Sequence, residues 1–215
     1  MLILSFYKLP IEYAIRNILR FYNFEKKFVM ARTPSNMLKL GTKAPEFSLL
    51  DTVSGETKSL EQLKGEKGTV IMFICNHCPF VIHVNPKITE LAKDYQRKGI
   101  GFIAISSNDI KNYPQDAPEL MTVKAKEEGY PFPYLYDETQ DVAKSFDAAC
   151  TPDFYLFDQD LSLVYRGQLD DSRPENGVPL TGKDLSNAMD AVINGTKVDE
   201  LQKPSIGCNI KWKVN

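Results

Sequence analysis

The chain has 215 residues, 43% hydrophobic and 25% charged, with 26 basic against 28 acidic residues and a formal net charge of -2. That balance suits one globular domain with an elaboration and a sizeable core, and it excludes the basic surface on which nucleic-acid binding depends. Four cysteines are too few to staple a secreted scaffold of this length, so their placement says more than their number.

Residues 1–32 read as an N-terminal extension, with Lys8, Arg16, Arg20, Lys26, Lys27 and Arg32 set against Glu12 and Glu25. Ile11, Ala14, Ile15, Ile18, Leu19 and Tyr22 recur at helical spacing, which predicts a basic amphipathic helix that touches a membrane surface or packs on the body. Lys8, Pro10, Glu12 and Arg16 interrupt the stretch, so it does not read as a secretory signal. Nowhere does the chain offer the roughly 18 apolar residues that a membrane span needs. An organelle presequence and an upstream frame extension with Met30 as the start are both open readings of this segment.

From Gly41 onward, strands and helices alternate. Residues 47–50 predict a short strand, and 51–55 turn chemistry before Leu60 and Leu63. Residues 69–74 form a continuous β-prone apolar run, the pattern of a strand buried on both faces. Val81, Val84, Ile88, Leu91, Ala92 and Tyr95 then mark one face of a helix over 79–98, ended by Gly99 and interrupted by Pro86. Further along, 100–106 reads as a strand and 119–128 as a helix. Residues 133–136 read as a short extended segment and 141–146 as a short helix. A hairpin is expected from 154–157 and 161–165, and a last helix over 185–193. This order describes an α/β sandwich, a central mixed β-sheet with helices on both faces, over residues 40–196. Residues 197–215 read as a C-terminal tail that packs on it.

The chemistry concentrates where the strand at 69–74 meets Pro79. Cys75 and Cys78 stand there as a CxxC pair around Asn76 and His77. A thiol at a helix N-terminus faces unpaired N–H groups and the positive end of the helix dipole, which favour thiolate and nucleophilic chemistry. A buried structural pair and a metal site of Cys75, His77, Cys78 and His83 compete with that reading. No second ligand pair accompanies the motif, so no metal and no cofactor are expected. His77 can stabilise a thiolate or shuttle a proton, or it is simply a solvated turn residue. Cys150, Thr151 and Pro152 precede the first hairpin strand. Cys208 reads as docking the tail together with Trp212, with a remote resolving role as the lesser reading.

The stretch TPDFYLFDQDLSLVYRG, 151–167, resembles the element of the thioredoxin-like superfamily in which a cis-proline faces the catalytic cysteine and a β-hairpin follows. Pro86 stands eight residues after Cys78, where thioredoxins keep their helix-kinking proline relative to the nucleophile. The resemblance therefore makes Cys78 the nucleophile and Cys75 an extra upstream thiol, with Val81 at the second thioredoxin cysteine and Met72 at its buried acid. The phrase GTKAPEFSLLD, 41–51, with FICNHCPFV is similar to a peroxiredoxin-like subgroup of the AhpC/TSA (redoxin) family. Peroxiredoxins carry Thr or Ser three residues before the peroxidatic cysteine and Pro four before that. Cys75 and Ile71 hold those places here, so the peroxide-binding hydroxyl is missing. Arg166 stands where it can lend positive charge, as an arginine does in peroxiredoxins. Sco-type copper carriers share the fold but space their cysteines by three residues.

The resemblance implies a thiol-disulfide oxidoreductase or peroxiredoxin-like antioxidant protein. Cys78 attacks a protein or small-molecule disulfide or a peroxide, Cys75 or Cys150 resolves, and a thiol donor returns the electrons. The alternatives are peroxidase as the main activity and a noncatalytic redox-sensing or metal-handling module. A cytoplasmic setting is expected.

Overall fold

A computed structural model of the chain describes residues 32–214. The amphipathic helix expected over residues 11–22 lies outside them. Seven strands make the main sheet: β2 Ser48–Asp51, β3 Thr57–Ser59, β4 Gly68–Phe73, β5 Ile100–Ser106, β6 Tyr134–Tyr136, β8 Asp153–Asp158 and β9 Leu163–Gly167. Their order is β3-β2-β6-β5-β4-β8-β9. β4 pairs parallel with β5 and antiparallel with β8, and β5 pairs parallel with β6, so the sheet is mixed. All six residues of β4 are buried, as its unbroken apolar run requires of a central strand covered on both faces.

Around the sheet run α1 Leu60–Leu63, α2 Pro79–Gln96, α3 Pro118–Glu127, α4 Asp141–Ser145 and α5 Lys183–Ile193. α1 begins in a capping box: the Ser59 hydroxyl accepts the Gln62 N–H while the Gln62 side chain accepts the Ser59 N–H. α2 buries Val81, Val84, Ile88, Leu91, Ala92 and Tyr95, the face that helical spacing picks out, and Gly99 follows it in the left-handed conformation at φ +92°. One side of the core is aromatic. Phe146 packs edge-on against Phe73, Tyr155 and Phe157 at 5.6, 5.6 and 6.0 Å between ring centroids.

A second, smaller sheet has no counterpart in the expected elements. It joins β1 Thr33–Pro34, β10 Ile206–Asn209 and β7 Cys150–Thr151 in the order β1-β10-β7. Strands of two to four residues carry no readable period, and their pairing comes from the tertiary structure. In β10 Cys208 lies opposite Thr151 and Asn209 opposite Cys150. Close approach depends on Gly207, where an added Cβ would stand 2.0 Å from the Thr151 carbonyl oxygen.

The tail beyond β10 is clamped by buried amides. Asn108 accepts the Lys211 N–H at 2.8 Å, and Gln140 donates to the Lys211 carbonyl at 2.9 Å and accepts the Lys213 N–H at 2.8 Å. Before β10, the Ser205 hydroxyl donates to the Pro152 carbonyl at 2.6 Å.

Candidate active site

Ile74 still donates its N–H to the Ile105 carbonyl at 3.0 Å, so the chain leaves the sheet directly into the Cys75–Cys78 turn. Cys78 is the N-cap residue of α2 and Pro79 occupies the first turn. Proline there removes only an N–H that no helix carbonyl could have accepted. The sulfur is thereby held at the positive end of an 18-residue helix.

Asp116 organises the turn from the far side. Its buried carboxylate accepts the Asn76 N–H at 2.8 Å and the Asn108 amide at 2.8 Å, and His77 Nδ1 lies 2.7 Å from its Oδ2. His77 also stacks on Tyr113, with ring centroids 5.7 Å apart. The Asn76 side chain donates to the Gln115 carbonyl at 2.9 Å and accepts from the Tyr134 hydroxyl at 3.1 Å. Asn76 and His77 thus fix the turn that carries the two cysteines.

Three sulfurs meet above this turn. Cys78 Sγ is 2.9 Å from Cys208 Sγ and 3.2 Å from the Thr151 carbonyl oxygen. Cys75 Sγ lies 3.5 Å from the Thr151 hydroxyl. The peptide bond between Thr151 and Pro152 is cis, the isomer the resemblance implies. Cys75 and Cys78 are 2% and 0% exposed, whereas Cys208 keeps solvent access. Hydrogen bonding from the Cys208 thiol, then from the Cys75 thiol, pulls the Cys78 thiol well below its ordinary range against the opposing effect of burial. Its partners move the other way. Cys75 is raised by its hydrogen bond to Cys78, by burial and by the Asp116 charge. Cys208 is raised by its hydrogen bond to Cys78 and by burial, while Lys211 pulls it down.

Two expected partners face elsewhere. The resemblance makes Cys150 a candidate resolver, but strand alternation turns it to the face opposite its neighbour Thr151. It donates to the Pro152 carbonyl at 3.6 Å, and burial pushes its thiol up. Arg166 does not lend its charge to the cysteine pair. Its guanidinium donates to the Asp147 carbonyl at 2.8 Å and to Asp153 at 3.0 Å, and it lies 4.5 Å over the Tyr155 ring. Trp212 is 39% exposed, and the tail residue buried in the hydrophobic core is Ile210.

The Redoxin family model matches residues 39–184. The chain belongs to the Redoxin family. A solved structure of an uncharacterized conserved protein from Geobacillus kaustophilus is 59% identical, covering 86% of this chain and 98% of that one at a TM-score of 0.85. A hypothetical protein from Sinorhizobium meliloti 1021 is 45% identical over 85% of this chain and 100% of its own, at 0.83. The thioredoxin domain of a thiol-disulfide oxidoreductase from Bacteroides vulgatus is 19% identical over 64% of this chain and 91% of its own, with a TM-score of 0.52, and shows the shared thioredoxin-like fold. A search of the curated proteins found no match.

One residue of this redoxin's site has no signal in the sequence, and the sequence offers a second only as a lesser reading. Asp116 is one acid among several in a polar loop, and only the fold brings it under the CxxC turn. Cys208 lies 130 residues from Cys78, and nothing in the local pattern of PSIGCNIKWK announces that it pairs across Thr151. One Cys75 sulfur, one His77 nitrogen and one Asp116 oxygen lie within 4.8 Å of one another, a mixed donor set absent from the sequence spacing. His83 stands apart from it, 2.8 Å from the Ser172 hydroxyl. No helix among the described residues is long and apolar enough to cross a membrane.

Proposed function

We propose that this redoxin is a thiol-disulfide oxidoreductase in which Cys78 is the attacking sulfur. The observation that carries the reading is the Cys78 thiol at the N-terminus of α2, held toward the thiolate form with two further thiols against it. A thiolate attacks a disulfide sulfur, and a second thiol releases the product from the mixed disulfide. Peroxide enters the same cycle through a sulfenic acid on Cys78, which the second thiol condenses with, releasing water. The burial of Cys78 favours small oxidants, peroxides and low-molecular-weight disulfides, over large protein substrates. A thiol donor in a reducing cytoplasm would complete the cycle.

Thiol titration tests this directly. Fully reduced protein treated with oxidised glutathione or hydrogen peroxide and then freed of small molecules is expected to have lost two titratable protein thiols per oxidant consumed, with both restored by a dithiol. An unchanged thiol count after exposure to both oxidants would remove the reading.

A second reading, metal handling, is favoured by the Cys75, His77 and Asp116 donor set. Three protein ligands with one open position suit zinc chemically. Under that reading, protein purified in reductant without chelator carries stoichiometric zinc or copper by elemental analysis, and the metal protects Cys75 from alkylation.

A further inference from the structure

Resting on the thiol-redox reading above, we propose that Cys208, on the C-terminal strand β10, is the thiol that resolves Cys78 and the sulfur through which an external dithiol reduces the chain again. The sulfurs are already 2.9 Å apart. Their approach is set by the ladder that places Cys208 opposite Thr151, by the bare Cα of Gly207, and by the clamps on Ser205 and Lys211. Cys75 and Cys150 lack this combination. Cys75 is buried, lies against the Thr151 hydroxyl and keeps the Asp116 charge nearby. Cys150 sits on the other face of β7.

The steps balance. The Cys78 thiolate attacks a substrate disulfide RSSR′, forming Cys78–S–S–R and releasing R′S⁻. Cys208 loses its proton and attacks Cys78 Sγ. The Cys78–SR bond breaks, the Cys78–Cys208 disulfide forms, and RS⁻ leaves. The substrate has gained two electrons and, after taking up two protons, is two thiols. An external dithiol then attacks Cys208 Sγ, the solvent-accessible sulfur of the pair, and Cys78 departs as thiolate. The second donor thiol displaces Cys208, which restores both protein thiols and oxidises the donor to its disulfide.

The test uses the full chain and the aromatic disulfide dithiobis(nitrobenzoate), supplied at one equivalent per chain. Attack by Cys78 releases one thionitrobenzoate, and resolution releases the second. Wild type is expected to release both, and acid-quenched, maleimide-blocked peptide mapping to show a Cys78–Cys208 disulfide. Cys208→Ser is expected to release one and retain a stable adduct on Cys78. Gly207→Ala, which forces β10 off β7 while keeping every thiol, is expected to slow the second release at least about tenfold, a barrier increase of about 1.4 kcal/mol. A Cys75–Cys78 or Cys78–Cys150 bridge in the wild type, or two released equivalents from Cys208→Ser, would overturn the proposal. Because the wild-type map decides without any variant, misfolding of a mutant leaves the test intact. A wild type in which Cys78 takes no adduct would instead refute the underlying redox reading, and the resolving role with it.

Discussion

Arg166→Leu is expected to destabilise the fold by about 3–5 kcal/mol near pH 7, the range found when one partner of a buried ion pair is removed. Arg166 and Asp153 are both 0% exposed as side chains and lie 3.0 Å apart across the β8/β9 hairpin. Tyr155 adds its hydroxyl to the Asp153 carboxylate at 3.2 Å and to the Phe146 carbonyl at 3.1 Å. Burial pushes the Asp153 carboxyl up to about 6, with Arg166 pulling the other way. The sign of the pH dependence follows. A carboxyl whose folded value is raised is tolerated by the fold below its unfolded value, and stability is lost as pH rises through the folded value. Without Arg166 the folded value climbs further, so the variant's extra loss grows above pH 6 and shrinks toward pH 4. Asp153→Asn leaves the Arg166 guanidinium buried without its carboxylate, so its loss should persist at low pH. Urea unfolding of the three proteins at about pH 4.5 and about pH 7.5 compares these slopes. Equal losses for Arg166→Leu at both values would assign the effect to packing alone.

The elements that read correctly are those whose local pattern and tertiary surroundings agree. Residues 100–106 are a strand in sequence and in space because β5 is buried almost throughout. The helix expected over 79–98 spans Pro79–Gln96, since proline, apolar spacing and Gly99 define both its ends. The strand expected over 47–50 is shifted by one residue to Ser48–Asp51, where alternation is weak and one face is exposed. Reading the site was harder for a physical reason. Cys75, Cys78, Thr151 and Pro152 sit at element ends that have their own signals, whereas Cys208 is brought in by a four-residue strand whose partners are remote in sequence. Cys150 enters the expected site through the loop before the cis-proline, yet its place beside Thr151 on a strand is what turns it away. Arg166 has the charge the resemblance implies but a buried carboxylate already faces it, and that competition is visible only in three dimensions.

Cys78→Ser is expected to lower oxidant turnover by about a thousandfold or more, since the thiols that remain, Cys75 and Cys208, do not stand at the N-cap of α2 as Cys78 does, and the pH profile of wild-type Cys78 shows why. An ordinary thiol with a pKa of about 8.5 loses roughly eightyfold in thiolate between pH 8 and pH 6, and its alkylation rate falls in parallel. Cys78 is held well below the ordinary range by the Cys208 and Cys75 thiols, so its alkylation by iodoacetamide, followed on the Cys78 peptide by mass spectrometry, should change less than about twofold over the same interval. Burial slows the reaction at every pH alike and leaves the profile's shape untouched. The groups that set the profile are the Cys208 and Cys75 thiols, opposed by burial and joined by the Val81 and Cys208 backbone N–H groups. Cys208→Ala removes the hydrogen-bond donor that makes the largest of the lowering effects, so its Cys78 profile should move upward in pH and recover part of the ordinary slope. A wild-type rate that drops about tenfold per pH unit would mean that Cys78 is a thiol at neutral pH. The three-sulfur cluster would then be packing around a latent nucleophile rather than the device that charges it.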